Sequence, residues 1–301
     1  MKKIVKISVI FLLVAGLIFL LLNLDALFGS HADLDDEVEL SEEITKECDR
    51  IRAEWADAKG WDEALYVKQS NAIDQGQKLK KYSPGGYRAV TDALRESSIN
   101  AVCNAYWYNL KDHYDHKALQ SRYSGVSALS KYADYASDNR IKRVKDVHGL
   151  YTKVYNFTRS SHTLTPSFNA EAGSGSWWTS YEKLREGVLS TASSYKGNSQ
   201  YKEISSVPGF DSGLDPNHLG QVLSAQKESF YRSLSQQIIS YYSGKAPNSD
   251  LADQLDAVVD KYGDEYYSVL GSNRNYGMQE LERFVRDFRR KVKESSLEDY
   301  N

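Results

Sequence analysis

The apolar residues of this chain keep one period along nearly its whole length. Ile44, Cys48, Ile51 and Trp55 fall at i, i+4, i+7 and i+11, one stripe of an α-helix. Trp61, Leu65, Ala72 and Leu79 predict a second helix, and Val90, Leu94, Ala101 and Ala105 a third. Leu119, Tyr123, Val126 and Leu129 mark a fourth, and Ile141, Val144, His148, Tyr151 and Val154 a fifth. Trp177, Tyr181, Leu184 and Val188 mark a sixth. A long helix from Leu219 to Tyr241, one through Leu251, Leu255, Val258, Tyr262 and Tyr266, and a last one through Leu281, Phe284, Phe288 and Val292 complete the series. The punctuation agrees. Ser41 and Ser249 are expected N-caps, Asp215-Pro216 a cap with Pro at the first helical position, and Gly60 and Ser83-Pro84-Gly85-Gly86 are stops. No alternating stretch is long enough for a strand. The expectation is an all-α protein of about eight or nine amphipathic helices, in one bundle or two stacked bundles, behind an N-terminal membrane segment.

That membrane segment is the clearest address in the sequence. Lys2, Lys3 and Lys6 precede Ile7 to Leu22, sixteen residues without a charge. Basic residues on a short N-terminal flank hold that side in the cytoplasm, so the remainder is expected outside it, periplasmic or at the cell surface. Two fates stand open for residues 1–30. Residues 4–24 reach the roughly 20 residues an uncleaved anchor needs, with Lys6 snorkelling to the interface. Alternatively a signal peptide is cleaved near Ala32 and the chain is secreted. Setting aside the first 30 residues removes Lys2, Lys3, Lys6 and Asp25 and leaves 35 basic against 40 acidic side chains. A nucleic-acid partner is therefore not expected, nor is a cofactor. Residues 31–43, in which seven of the eleven from Asp33 to Glu43 are acidic, read as a solvated spacer.

The folded part divides on paper into a first helical region, 44–158, a Ser/Gly-rich loop or linker, 159–176, and a second helical region, 177–301. The second resembles a duplicate of the first. Val90-x-x-Ala93-x-Arg95-Glu96-Ser97 matches Val222-x-x-Ala225-x-Lys227-Glu228-Ser229, and Tyr132 with Asn139-Arg140 matches Tyr266 with Asn273-Arg274. The chain has 41% hydrophobic residues, which excludes disorder, but 22 Tyr against 9 Phe is unusual and needs a use. Cys48 and Cys103 form a possible disulfide in an oxidising compartment, or two buried thiols.

Candidate chemistry is sparse. His113, Asp115 and His116 carry ligand atoms within four residues and are the candidate metal site, against an ordinary polar turn. Ser160-Ser161-His162 lacks an orienting third group and a nucleophile elbow, and His148 lies in an apolar stripe as a core histidine would. Binding candidates are aromatic and basic: Trp107, Trp177, Trp178, Tyr242 and Tyr267 as rings beside packed neighbours, and Arg140, Lys142 and Arg143 as cations at the start of the fifth helix. Of the aromatic pairs, Trp177-Trp178 is the one expected at the surface. The functional expectation is an extracytoplasmic, membrane-tethered helical binding module without catalysis, contacting the membrane through residues 4–24 and an unknown protein or envelope polymer. The alternative is an extracytoplasmic enzyme or metal-binding protein using His113 and His116.

Overall fold

The computed structural model describes residues 31–80, 83–171, 176–271 and 276–298. The expected anchor at 4–24, Asn273 and Arg274 lie outside them; no described helix is long and apolar enough to cross a membrane. Every regular element among the described residues is helical. In chain order the α-helices are α1 (His31–Asp57), α2 (Glu63–Lys80), α3 (Pro84–Lys111), α4 (His116–Leu129), α5 (Ala133–Ala136), α6 (Asn139–Arg159), α7 (Tyr181–Lys196), α8 (Phe210–Gly213), α9 (Pro216–Ser224), α10 (Lys227–Ser243), α11 (Ser249–Leu270) and α12 (Tyr276–Glu298). A 3-10 turn covers Tyr201–Glu203. The chain forms two compact units, Met1–Gly149 and Leu150–Asn301, so the division falls within α6 and not in 159–176.

Most helix starts are capped as their sequences demand. Ser83 accepts from the Gly86 amide with Pro84 at the first position, and Asp215 accepts from Asn217 and His218 ahead of Pro216. At α11 the cap is Asn248, one residue before the Ser249 expected. The stretch expected as an acidic spacer, 31–43, is helical: α1 runs through it from His31. Acidic residues suit a helix N-terminus, and no Pro or Gly interrupts 31–59.

In unit 1, α3 packs against α1, α2 and α4, and α1 against α2. The α1 stripe of Ile44, Cys48, Ile51 and Trp55 is buried as its spacing requires. At the centre sits a polar residue, Gln69, with no exposure. It accepts from Trp55 Nε1 at 2.7 Å and donates to Tyr135 Oη at 2.6 Å and Ser98 Oγ at 3.2 Å. One amide thus serves three buried partners from three other helices, leaving none of them unsatisfied. Glycine decides one approach: a Cβ at Gly125 of α4 would lie 2.6 Å from Trp61 Cβ, so only Gly lets the α1–α2 turn rest there. The bridge expected between Cys48 and Cys103 is not formed; both are free thiols, 3% exposed, and burial pushes each up to about 11.

In unit 2, α10, α11 and α12 pack pairwise, and α9 packs on α7 and α8. The core is built on rings: Tyr181, Phe230, Tyr231, Tyr242, Tyr262 and Tyr266 are fully buried among Leu234, Ile238, Leu255 and Val258. Residues 160–171, expected as linker or loop, are an ordered strap. Leu164 N donates to Gln226 Oε1 at 2.8 Å and Phe168 N to Gln237 Oε1 at 2.9 Å. In return Gln237 Nε2 donates to Pro166 O at 3.0 Å and Gln254 Nε2 to Ala170 O at 3.3 Å. A glutamine amide offers a donor and an acceptor, as a neighbouring strand would, so a non-helical segment keeps its backbone satisfied. Gln226 also explains why the long helix expected from Leu219 to Tyr241 breaks into α9 and α10: it stands between them, holding His162 O and Leu164 N. The break undercuts the duplication as well, because 222–229 crosses it while 90–97 lies inside uninterrupted α3.

The tyrosine hydroxyls of unit 2 are unequally provided for. Tyr181 Oη donates to Leu223 O at 2.8 Å and Tyr262 Oη to Tyr231 O at 3.0 Å, whereas the hydroxyls of Tyr231 and Tyr242 are buried without a partner. Removing an unpartnered buried hydroxyl relieves a desolvation penalty, and removing a bonded one orphans a carbonyl. Tyr242→Phe should therefore raise the urea midpoint, and Tyr181→Phe should lower stability by about 1 kcal/mol. Equal losses in both variants would contradict this account.

Candidate functional site

The candidate rings are spent mostly on packing. Trp178 is 2% exposed, with Nε1 donating to Glu265 Oε2 at 2.5 Å, and Tyr242 is fully buried against Phe168 and Phe288. The exposed Trp177-Trp178 pair expected from the sequence is thus corrected: Trp177 is half-buried on the unit 2 core, stacked on Trp178. Trp107 is half-buried, with Lys111 and Arg143 at 5.1 and 5.2 Å from its ring centre, so cations occupy the platform. Tyr267 remains exposed, edge-on to Tyr266.

The basic cluster at the start of α6 is also divided. Arg140 is a clamp: it reaches Asp138 at 2.8 Å, Glu96 at 2.6 and 2.8 Å and Asn100 at 3.0 Å, tying α6 to α3. Hydrogen bonds from that guanidinium hold the Glu96 and Asp138 carboxyls below their usual range. Lys142 is exposed.

The proposed metal triad is given other work. Asp115 caps α4 through Ala118 N at 2.7 Å, His113 lies against the Tyr108 ring, and its carbonyl accepts from Asn109. No three His, Cys, Asp or Glu side chains converge among the described residues. A metal there lacks its donor set, since the short polar residues at this helix junction serve the turn. Ser160, Ser161 and His162 bond locally: Ser161 Oγ lies 2.8 Å from Thr163 Oγ1, and His162 N donates to Ser160 Oγ. No nucleophile–base pair results.

What the sequence did not reveal is a cleft of about 740 Å³ in unit 1. Its floor is one face of α3, on which Ser97, Asn100, Ala101, Asn104, Ala105 and Tyr108 recur at i, i+3/i+4, i+7/i+8 and i+11. The last turns of α1 bring Arg52 and Trp55, the following turn brings Lys59, and α4 brings Arg122. Three cations line the cleft and no carboxylate does. Arg52 pairs with Asp49 at 3.1 Å, yet its Nε is buried without a partner. Lys59 and Arg122 have no carboxylate within 4 Å among the described residues. Gly60, at φ +136°, makes room: a Cβ there would lie 3.1 Å from an Arg122 guanidinium nitrogen. Asn109, nine-tenths buried, also lines the cleft with an Oδ1 that accepts from nothing. The arrangement offers positive potential, amide donors and acceptors and one exposed ring. No carboxylate, histidine or cysteine lines the cleft, and the Ser97 hydroxyl donates to Ala93 O. The signal that could have found it is the α3 face itself, where amides and alanines stand at the spacing that large apolar residues would take in a core.

No protein family, curated protein or solved structure matches the chain.

Elsewhere in unit 1, His148 is 5% exposed, stacked on Tyr123 at 3.6 Å and 3.3 Å from Tyr106 Oη through Nδ1. Burial, then the nearby His116, lowers its pKa to about 4. The unfolded chain, titrating near 6.5, therefore binds the proton first as pH falls. Stability supplied by neutral His148 is complete above about pH 6.5, is lost as pH falls towards 4, and loses nothing further below that. Melting temperature should fall between pH 7 and pH 4.5. In His148→Phe, which keeps a ring on Tyr123 but takes no proton, the fall should be shallower. An identical slope would remove His148 from the cause.

Proposed function

We propose that this chain is a membrane-tethered binding module that works without catalysis and holds an anionic ligand in the unit 1 cleft. The observation that carries the reading is the lining: Arg52, Lys59 and Arg122 converge with no acidic side chain among them. Lys59 and Arg122, without a carboxylate within 4 Å among the described residues, raise the local concentration of anions in this concave site, and Arg52, although paired with Asp49, adds to the positive potential. Guanidinium groups add directional donors that match oxyanions. The basic, apolar N-terminus supports an extracytoplasmic position for the described residues, because Lys2, Lys3 and Lys6 precede a run of sixteen uncharged residues in which only Ser8 is polar. The absence of a carboxylate from the lining leaves hydrolytic acid–base chemistry without its usual groups.

The test uses the full-length protein in a non-saccharide detergent, titrated calorimetrically with inorganic tripolyphosphate. Binding should weaken as salt is raised from about 50 to 500 mM, since exposed charges are screened over shorter distances. The double variant Lys59→Ala, Arg122→Ala should bind at least about tenfold more weakly, an energy of 1.4 kcal/mol. No heat of binding, or an affinity unchanged in the double variant, would refute the anion reading. Alkaline phosphatase fused after Asn301 in a bacterial host should be active, because that enzyme needs an oxidising compartment. An inactive fusion would refute the topology.

A further inference from the structure

Resting on that anion-binding reading, we infer that the ligand of the cleft is an acidic saccharide, a hydroxylated ring that also bears an oxyanion. A bare anion meets only part of the lining. Asn109 Oδ1 is a buried acceptor that no protein group reaches, while its Nδ2 already donates to His113 O at 3.0 Å. An orphaned acceptor in a nine-tenths buried side chain is relieved by a ligand donor, and an ionised carboxylate or phosphate has none to give. A ligand that carries hydroxyl or N–H groups beside its charge supplies what this side of the lining lacks.

The α3 face narrows the choice. Asn104 is exposed and its amide is uncommitted, whereas Asn100 is engaged with Glu96 and Arg140. An amide presents two donors and an acceptor in one plane, which suits neighbouring hydroxyls that each donate and accept. Ala101 and Ala105 add floor without bulk, so a flat ring can lie between Asn104 and the cations. Tyr108 stands at the end of this row, 56% exposed and backed by the His113 ring at 4.4 Å. Its electron-rich face suits the C–H face of a pyranose and its hydroxyl the ring substituents. An acidic peptide fits less well. Its backbone needs either an unpaired sheet edge or apolar pockets for side chains, and this cleft has a helical, amide-and-alanine floor. A carboxylate and a phosphate on the sugar are equivalent to these cations, so the source of the charge is left to the experiment.

Full-length protein is titrated with trigalacturonate, glucose 6-phosphate, neutral galactotriose and triglutamate, the last carrying a formal charge of about −3 like trigalacturonate. At least one acidic sugar should bind about tenfold more tightly than both galactotriose and triglutamate; which one binds identifies the acid group. Asn104→Ala, at an exposed position of α3, should weaken the bound sugar about three- to tenfold and weaken tripolyphosphate by a smaller factor. If triglutamate equals the acidic sugars, or Asn104→Ala changes nothing, the saccharide inference falls while salt-sensitive tripolyphosphate binding keeps the anion reading. If galactotriose equals the acidic sugars, the cations are idle towards the sugar and the acidic-saccharide inference falls, while the anion reading stands or falls with tripolyphosphate. If neither sugars nor tripolyphosphate bind, the anion reading itself is wrong.

Discussion

A tyrosine ring brings a hydroxyl into any helical core it fills, and how that hydroxyl is provided for shapes both units. Leucine imposes no such demand. Here the rings of Tyr181 and Tyr262 are seated by backbone carbonyls of Leu223 and Tyr231, and Tyr135 by the amide of Gln69. Glutamine is the matching half of the arrangement. It reaches far and donates and accepts at once, serving buried rings through Gln69 and irregular backbone through Gln226, Gln237 and Gln254. The surplus of tyrosine is chiefly a packing material, with amides as its fittings.

Helix existence was legible from apolar spacing because a stripe of Ile, Leu and Trp must be covered whatever covers it. Ile51 and Trp55, Leu94, Leu119 and Val144 are all buried on the faces their periods predict. Capping was legible for Ser83 and Asp215, whose bonds are local. What depends on distant partners was hidden. Nothing in Thr158 to Ala170 announces that Gln226, Gln237 and Gln254 will hold that stretch, and nothing in Ala225-Gln226 announces a break. The aromatic doublets misled for a similar reason. Trp178 has a polar nitrogen suited to a surface, yet Glu265, eighty-seven residues on, supplies its partner inside.

The cleft was the least legible feature. Its cations lie on three different segments, and each alone reads as an ordinary solvated charge. Arg140 looked like the better anion binder, but Glu96 and Asp138 consume it. What separates a structural cation from an available one is the presence of a carboxylate within reach, which only the folded arrangement decides. The α3 face was visible as a pattern, yet small residues on a helix equally signal close packing, and the choice turns on whether a neighbouring helix arrives.

The glutamine-held strap has a consequence for the order of assembly. Its backbone bonds span 62 to 84 residues of sequence, all towards the C-terminus. During synthesis Leu164 and Phe168 therefore emerge well before the amides that receive them. At translation rates of 5–20 residues per second that interval is about 3–17 s, long against helix formation. The strap stays undocked for that time, with Leu164 and Phe168 waiting for the core they later join, whereas helices close locally.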